Sequence, residues 1–333
     1  MKGNMTVHTG EEYWKNYMER WFGAELVGKW ERYCEVRTLD SGCSPIRIEV
    51  YDTGAQCSPT LVFSHGIAGY ARMLLPFIIP LRERGFNVIA PDLRGFGYNT
   101  GRRGDFDWNE HVRNLGDTVA YARKHFGENV YLGGASMGGP LAYAAAARYR
   151  NVEGLVCWCL WDFQDREFMT RETMTGRLTY AMLPMMRLCS ALFGGLRLKT
   201  YSLVSFDTLT DSEDFNTMVK QDPQAGTRIS LKGALSLVLQ STVDVPYDQW
   251  KLPTLVLQPG EDRMTPKKYT RRTFDRLASP KKRYVEIDGC PHFPLDPRYY
   301  EEWACEVEEF VRFSWPGRES IESRFCRKPR PAP

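Results

Sequence analysis

The sequence predicts an α/β fold: a mostly parallel sheet with helices on both faces and a helical cap inserted between two stretches of it. Three observations carry that expectation. Short apolar runs of strand type alternate with helical patterns over residues 45–160. The alternation lapses from about 163 to 248 and resumes over 253–313. One strand-to-helix turn contains Gly134, Ser136 and Gly138 in the form G-x-S-x-G. Strands alternating with helices need crossover connections, and crossovers produce parallel sheets buried on both faces.

Taken in order, residues 11–33 carry Tyr13, Trp14, Tyr17, Met18, Trp21, Phe22, Leu26 and Trp30 at mostly helical spacing. Such a stripe packs on its own domain by default. The minority reading is an interfacial helix that makes a peripheral membrane contact or lines a dimer. Its polar face mixes Glu12, Lys15, Glu19 and Arg20, which does not favour anionic lipid. Residues 1–44 are therefore expected to be an aromatic-rich helical segment, with His8 in an unstructured start. Strands are expected at 45–51, at 60–63 running into Ser64-His65-Gly66-Ile67-Ala68-Gly69, and at 86–90 before Pro91-Asp92. Helices are expected at 73–84, stopped by Gly85, and at 107–126. The strand Val130-Tyr131-Leu132 leads into the glycine turn and a helix from Pro140; another strand spans 152–160. Beyond the cap come a strand at 253–258, a helix at 267–277, a strand at 283–287 and a helix at 297–313. Asp296 caps that last helix and Pro297 opens its first turn. The organisation that follows is an N-terminal segment (1–44), a core in two pieces (45–162 and 249–315), a cap (163–248), and a basic, proline-rich tail (316–333). The tail has no periodicity and is expected to be poorly ordered, a solvated end rather than a nucleic-acid arm.

Composition excludes several classes. Among 333 residues, 44 basic side chains nearly balance 41 acidic ones, which argues against a nucleic-acid partner. Nine cysteines lie scattered without metal-type spacing. The first residues hold no apolar run, so reduced thiols and a cytoplasmic location are expected. No stretch reaches the roughly 18 apolar residues of a transmembrane helix. Cys157 and Cys159 form a C-x-C on a buried strand and read as core. Gly95-Phe96-Gly97 lacks the strand–helix frame of a dinucleotide site.

The glycine turn holds the chemistry. It lifts the Ser136 hydroxyl clear of the sheet, above a helix N-terminus that favours a developing anion. A serine hydroxyl needs a base, and the base needs a group that fixes its tautomer. Of five histidines, His292 in the loop after the last strand shares the strand-C-terminal edge with Ser136, and is expected to be that base. His111 and His125 are expected at the surface, and His65 as a structural residue. Asp262, after the 253–258 strand, is the expected acid, with Glu261 the neighbouring competitor and Asp288 a weaker one. The oxyanion donors are expected to be the backbone N–H groups of Met137 and Ile67. Met169, Met174, Met182, Met185 and Met186 fall in the cap. They read either as filler or as an adaptable apolar lining, with Met169, Met182, Met185 and Met186 the candidates for a substrate pocket.

These pieces together resemble the α/β-hydrolase superfamily, and within it the monoacylglycerol lipase and lysophospholipase branch. The matching motifs are His65-Gly66, Pro91-Asp92-Leu93-Arg94-Gly95-Phe96-Gly97 with Arg102-Arg103-Gly104, Gly134-Ala135-Ser136-Met137-Gly138-Gly139, Gly260-Glu261-Asp262-Arg263-Met264-Thr265-Pro266, and Gly289-Cys290-Pro291-His292. Gln221-Asp222-Pro223 followed by Ile229-Ser230 is similar to a lid pattern of that branch. The N-terminal aromatic segment is longer than the branch usually carries. The resemblance implies hydrolysis of an apolar ester through an acyl-enzyme, without metal or organic cofactor. Two alternatives stay open: the same triad used for carbon–carbon hydrolysis, lyase or perhydrolase chemistry, and a non-catalytic ligand-binding protein of this fold.

Overall fold

The computed structural model describes residues 10–172 and 178–314. His8, Met174 and the 316–333 tail lie outside the described residues. Among the described residues ten strands form in chain order: β1 (Glu35–Leu39), β2 (Ile46–Tyr51), β3 (Thr60–Ser64), β4 (Asn87–Pro91), β5 (Val130–Ala135), β6 (Gly154–Trp158), β7 (Arg197–Lys199), β8 (Arg228–Ser230), β9 (Thr254–Pro259) and β10 (Lys282–Ile287). Eight of them make one sheet in the order β1-β2-β4-β3-β5-β6-β9-β10. The β1–β2 and β2–β4 pairs are antiparallel, and every pair from β4 to β10 is parallel. Strands β3 to β6 and β9 are buried along their whole length, as their unbroken apolar runs require. Parallel pairing sends the C-terminal ends of β3, β5, β6, β9 and β10 to one rim.

Two helix pairs pack beside this sheet: Trp108–Phe126 with Gly138–Tyr149, and Leu75–Glu83 with Arg298–Ser314. Asp107 caps the first of these, its side chain accepting from the N–H groups of Asn109 and Glu110. Trp303 binds the last helix to the core, with its ring against Phe63, Phe77 and Trp158.

Several expectations change. The aromatic N-terminal stripe is two helices, Gly10–Phe22 and Ala24–Tyr33, broken at Gly23 with φ +86°. It packs on its own domain: Trp14 and Tyr17 are fully buried. The Arg72 guanidinium lies 4.1 Å from the Trp30 ring centroid while its Nε pairs with buried Glu49 at 2.9 Å. The segment is not wholly helical, because β1 opens the sheet at residue 35; this exposed edge strand has no apolar run to announce it. His111 is buried rather than superficial, its ring stacked on Phe106 and its Nε2 2.9 Å from the Arg94 carbonyl. His125 is exposed. Among the described residues the cap holds four α-helices (Arg166–Arg171, Leu178–Phe193, Glu213–Gln221, Leu231–Leu239) and also the β7–β8 ribbon, whose three-residue strands are too short for a pattern to reveal.

The second half of the cap is tied to the body. The Tyr17 and Tyr70 hydroxyls both donate to Asp222 Oδ2, at 2.9 and 2.6 Å. Phe215 sits edge-on to Tyr17, Trp21 and Phe22. Burial raises the Asp222 pKa, and these hydroxyls hold it back. Among the described residues no helix is long and apolar enough to cross a membrane.

Candidate active site

Ser136 follows directly on β5 with φ +56°, a left-handed conformation that a non-glycine residue adopts only under local constraint. The flanking glycines explain how the turn closes. A Cβ on Gly134 would lie 2.5 Å from the Gly138 backbone, and a Cβ on Gly138 would lie 2.5 Å from the Ser64 carbonyl. The turn is pinned by Ser136 N–H donating to the Trp158 carbonyl (2.8 Å) and Gly139 N–H donating to the Ser136 carbonyl (2.8 Å). The helix Gly138–Tyr149 starts at once beneath the serine.

The loop after β3 closes on the same point. A Cβ on Gly66 would stand 2.9 Å from Ser136 Cβ, so the loop backbone rests against the serine side chain. His65 is fully buried and bridges two loops: Leu93 N–H donates to its Nε2 (3.1 Å), and Nδ1 lies 2.8 Å from the Gly66 carbonyl. A backbone donor at Nε2 leaves Nδ1 to carry the proton. Burial lowers its pKa, in keeping with a neutral ring. Ile67 and Met137 lie on either side of Ser136, in this loop and at the helix start respectively.

His292 and Asp262 meet at the rim. Nδ1 of His292 stands 2.7 Å from Asp262 Oδ2. The other carboxylate oxygen accepts from the N–H groups of Met264 (2.8 Å) and Thr265 (2.7 Å). Cys159 Sγ and Gln258 Nε2 approach Oδ2 at 3.5 Å. The His292 carbonyl accepts from Trp158 Nε1 at 2.9 Å, which seats the loop. An Nδ1–H donated to the carboxylate leaves Nε2 as the acceptor of the ring. Glu261 and Asp288 are exposed and do not face the imidazole through any hydrogen bond among the described residues. One group of potential metal donors occurs among the described residues: atoms of Cys159, Asp262 and His292 within 4.8 Å of one another. Those same atoms are engaged with each other as hydrogen-bond partners.

Two cavities meet at Ser136. The smaller, about 60 Å³, is lined by Gly66, Ile67, Ser136, Met264, His292 and Phe293, among others. The larger, about 130 Å³, runs under the cap past Met137, Trp161, Phe168, Met169, Met186 and Leu237. Ile67, Ser136 and Met264 line both. Of the candidate methionines, Met169 and Met186 face the larger cavity. Met182 is half-buried outside its lining, and Met185 points out, 54% exposed, because helical spacing turns it away from its neighbour Met186. Sequence reasoning missed the aromatic wall of Trp161, Phe163 and Phe168, and the Leu231–Leu239 helix. The aromatic run at 158–168 and the apolar run at 234–239 were the available signals. Among the described residues Glu172 is the one carboxylate in the lining, and it accepts from the Tyr269 hydroxyl at 2.6 Å.

A family model described as serine aminopeptidase, S33 (Hydrolase_4) matches residues 55–296. Phospholipase YtpA of Bacillus subtilis is 27% identical over 240 residues, covering 70% of this chain and 86% of that protein. The crystal structure of Paleococcus ferrophilus monoacylglycerol lipase aligns with a TM-score of 0.64 at 22% identity, over 81% of this chain and 99% of that one. A soluble variant of monoglyceride lipase from Saccharomyces cerevisiae aligns with a TM-score of 0.67 at 14% identity, over 85% and 96%. At these identities the two structures speak for the fold.

Proposed function

The chain belongs to the serine aminopeptidase, S33, family of α/β-hydrolases, and from that premise we propose that it hydrolyses carboxylic esters with an apolar acyl group through a serine acyl-enzyme. In this reading the Ser136 oxygen attacks the ester carbonyl while His292 Nε2 takes its proton. Asp262 holds the imidazole in the Nδ1–H tautomer and stabilises the cation that forms. The N–H groups of Met137 and Ile67 receive the negative charge on the tetrahedral oxygen. His292 then gives the proton to the leaving alcohol, and water repeats the sequence on the acyl-enzyme. No step requires a cofactor.

The observation that carries the reading is the serine at the junction of two cavities, one reaching His292 and the other almost wholly apolar. An apolar tunnel starting at a nucleophile suits an acyl chain better than a charged peptide terminus, which favours ester over aminopeptidase chemistry. The names of the relatives, a phospholipase and monoacylglycerol lipases, agree. The outer side of the Leu178–Phe193 helix adds a peripheral lipid contact: Leu178, Met185, Leu188, Leu192 and Phe193 stand exposed on the element whose Met186 faces the tunnel. The eight described cysteines are free thiols, which goes with a reducing, cytoplasmic setting.

The test is a series of p-nitrophenyl esters from acetate to palmitate. We expect an initial burst stoichiometric with protein, a preference for medium or long chains, and a loss of about 10³-fold or more in Ser136→Ala. Equal turnover by Ser136→Ala would overturn the reading.

A further inference from the structure

Four arginines gather where the β7–β8 ribbon of the cap meets the loop after β4. Arg197 opens β7 and Arg228 opens β8, and the Arg197 Nη2 donates to the Arg228 carbonyl at 2.9 Å. The Arg102-Arg103-Gly104 turn lies directly against them. Ser230 N–H donates to the Gly104 carbonyl (2.8 Å), and a Cβ on Gly104 would strike the Arg228 carbonyl at 1.8 Å. Arg102 reaches the stretch that leads into β7, with Nη1 3.4 Å from where a Gly195 Cβ would stand.

Carboxylates act on these cations only from beyond contact, Asp105 on Arg197 and Asp92 and Asp222 on Arg103, whose Nη2 donates to Gln224 Oε1 at 2.8 Å. Among the described residues none of the four has a carboxylate within ion-pair distance, whereas Arg47, Arg72, Arg94 and Arg276 each have at least one. Two donors, Arg103 Nη1 and Arg197 Nε, are shielded from solvent without a partner. Burial and the neighbouring guanidiniums of Arg102, Arg228 and Arg103 hold the Arg197 pKa below the usual arginine range, with Asp105 working against them. Like charges held this close, with donors left over, form a site that an anion would complete. The surroundings have the same sign. Residues 178–206 contain Arg187, Arg197 and Lys199 and no Asp or Glu. The exposed apolar residues Leu192, Phe193 and Leu196 run up to the cluster.

We propose that Arg102, Arg103, Arg197 and Arg228 form a binding site for a phosphate-bearing anion at the edge of the cap. Guanidinium forks match phosphate oxygens two at a time, and four of them suit a doubly contacted phosphoryl group better than a single carboxylate. The phosphate comes either from the headgroup of an anionic phospholipid or from free phosphate. The inference goes beyond the hydrolytic reading and does not require it, since binding is read without turnover.

The experiment uses the full chain and an Arg197→Gln/Arg228→Gln double variant, with thermal midpoints as the control on folding. Sedimentation is measured with vesicles of phosphatidylcholine alone and with vesicles containing phosphatidylglycerol; inorganic phosphate is titrated separately by calorimetry. Wild type is expected to bind the anionic vesicles at least tenfold more tightly than the neutral ones. The double variant should lose on the order of tenfold or more of that affinity, a few-fold for each arginine near an anionic surface. An Arg197→Lys/Arg228→Lys variant should recover part of the loss. Calorimetric binding of inorganic phosphate that competes with the vesicles would identify free phosphate as sufficient; vesicle binding without it would identify the lipid headgroup. Either outcome supports the site. Equal binding of wild type and the double variant to anionic vesicles, with no phosphate heat in either, would overturn it.

Discussion

The rim that holds Ser136 and the outer face of the cap are built on opposite terms. At the rim the supporting groups Asp262, His65 and the Trp158 indole have defined partners. Asp262 accepts from two backbone N–H groups and from His292, and His65 joins two loops through both ring nitrogens. On the cap, large apolar side chains face outward, and Arg197 and Arg228 have no carboxylate within ion-pair distance among the described residues. The difference teaches where each kind of specificity resides. Fixed, satisfied hydrogen bonds preorganise charge for one reaction, and that geometry must not depend on what binds. In the proposed reading, the exposed apolar and cationic groups of the cap take their partners from outside.

The comparison breaks first at the rim. His292→Ala and Asp262→Asn should each lower ester turnover by about 10³–10⁴-fold while leaving the melting temperature within a few degrees. A loss of the same size from a substitution of exposed Leu192 would erase the distinction. Next, Gly138→Ala should destabilise the protein by about 3 kcal/mol and cut turnover as well, because its methyl would press on the Ser64 and His65 carbonyls at 2.5 and 2.9 Å. Urea unfolding followed beside a rate assay measures both.

A third expectation concerns pH and the support behind the rim. Burial lowers the His111 pKa to about 3. The unfolded chain takes up a proton below about pH 6.5, and the native ring does not until about 3. Stability from this residue is therefore complete above the unfolded value and falls as pH drops through that window, by at most about 1.4 kcal/mol per unit. Urea midpoints at pH 7, 6 and 5 should drop for wild type and flatten in His111→Phe; parallel slopes would contradict it. Smallest is Tyr17→Phe, which removes one hydroxyl from Asp222 and should lower stability by about 1 kcal/mol, read as a modest fall in the thermal midpoint.

Much of the rim was legible because its constraints are local in sequence. The Gly134-x-Ser136-x-Gly138 turn, the Asp262 turn after β9 and the His292 loop after β10 each carry their signal within a few residues, and the parallel sheet brings strand ends together without further information. What escaped depends on neighbours distant in the chain. His111 lies on a helix whose pattern looks amphipathic, and only Phe106 and the Arg94 carbonyl reveal that it is buried. Strand β1 pairs at an edge and needs no apolar face of its own. The methionines were legible as cap residues, but the orientation of Met185 and Met186 follows from packing that composition does not contain.

The most direct measurement is active-site labelling with a fluorophosphonate followed by intact mass and peptide mapping. A single adduct on Ser136, formed rapidly in wild type and slowed by orders of magnitude in His292→Ala, is the predicted result. Labelling elsewhere, or of Ser136 at the same rate without the imidazole, would contradict the account.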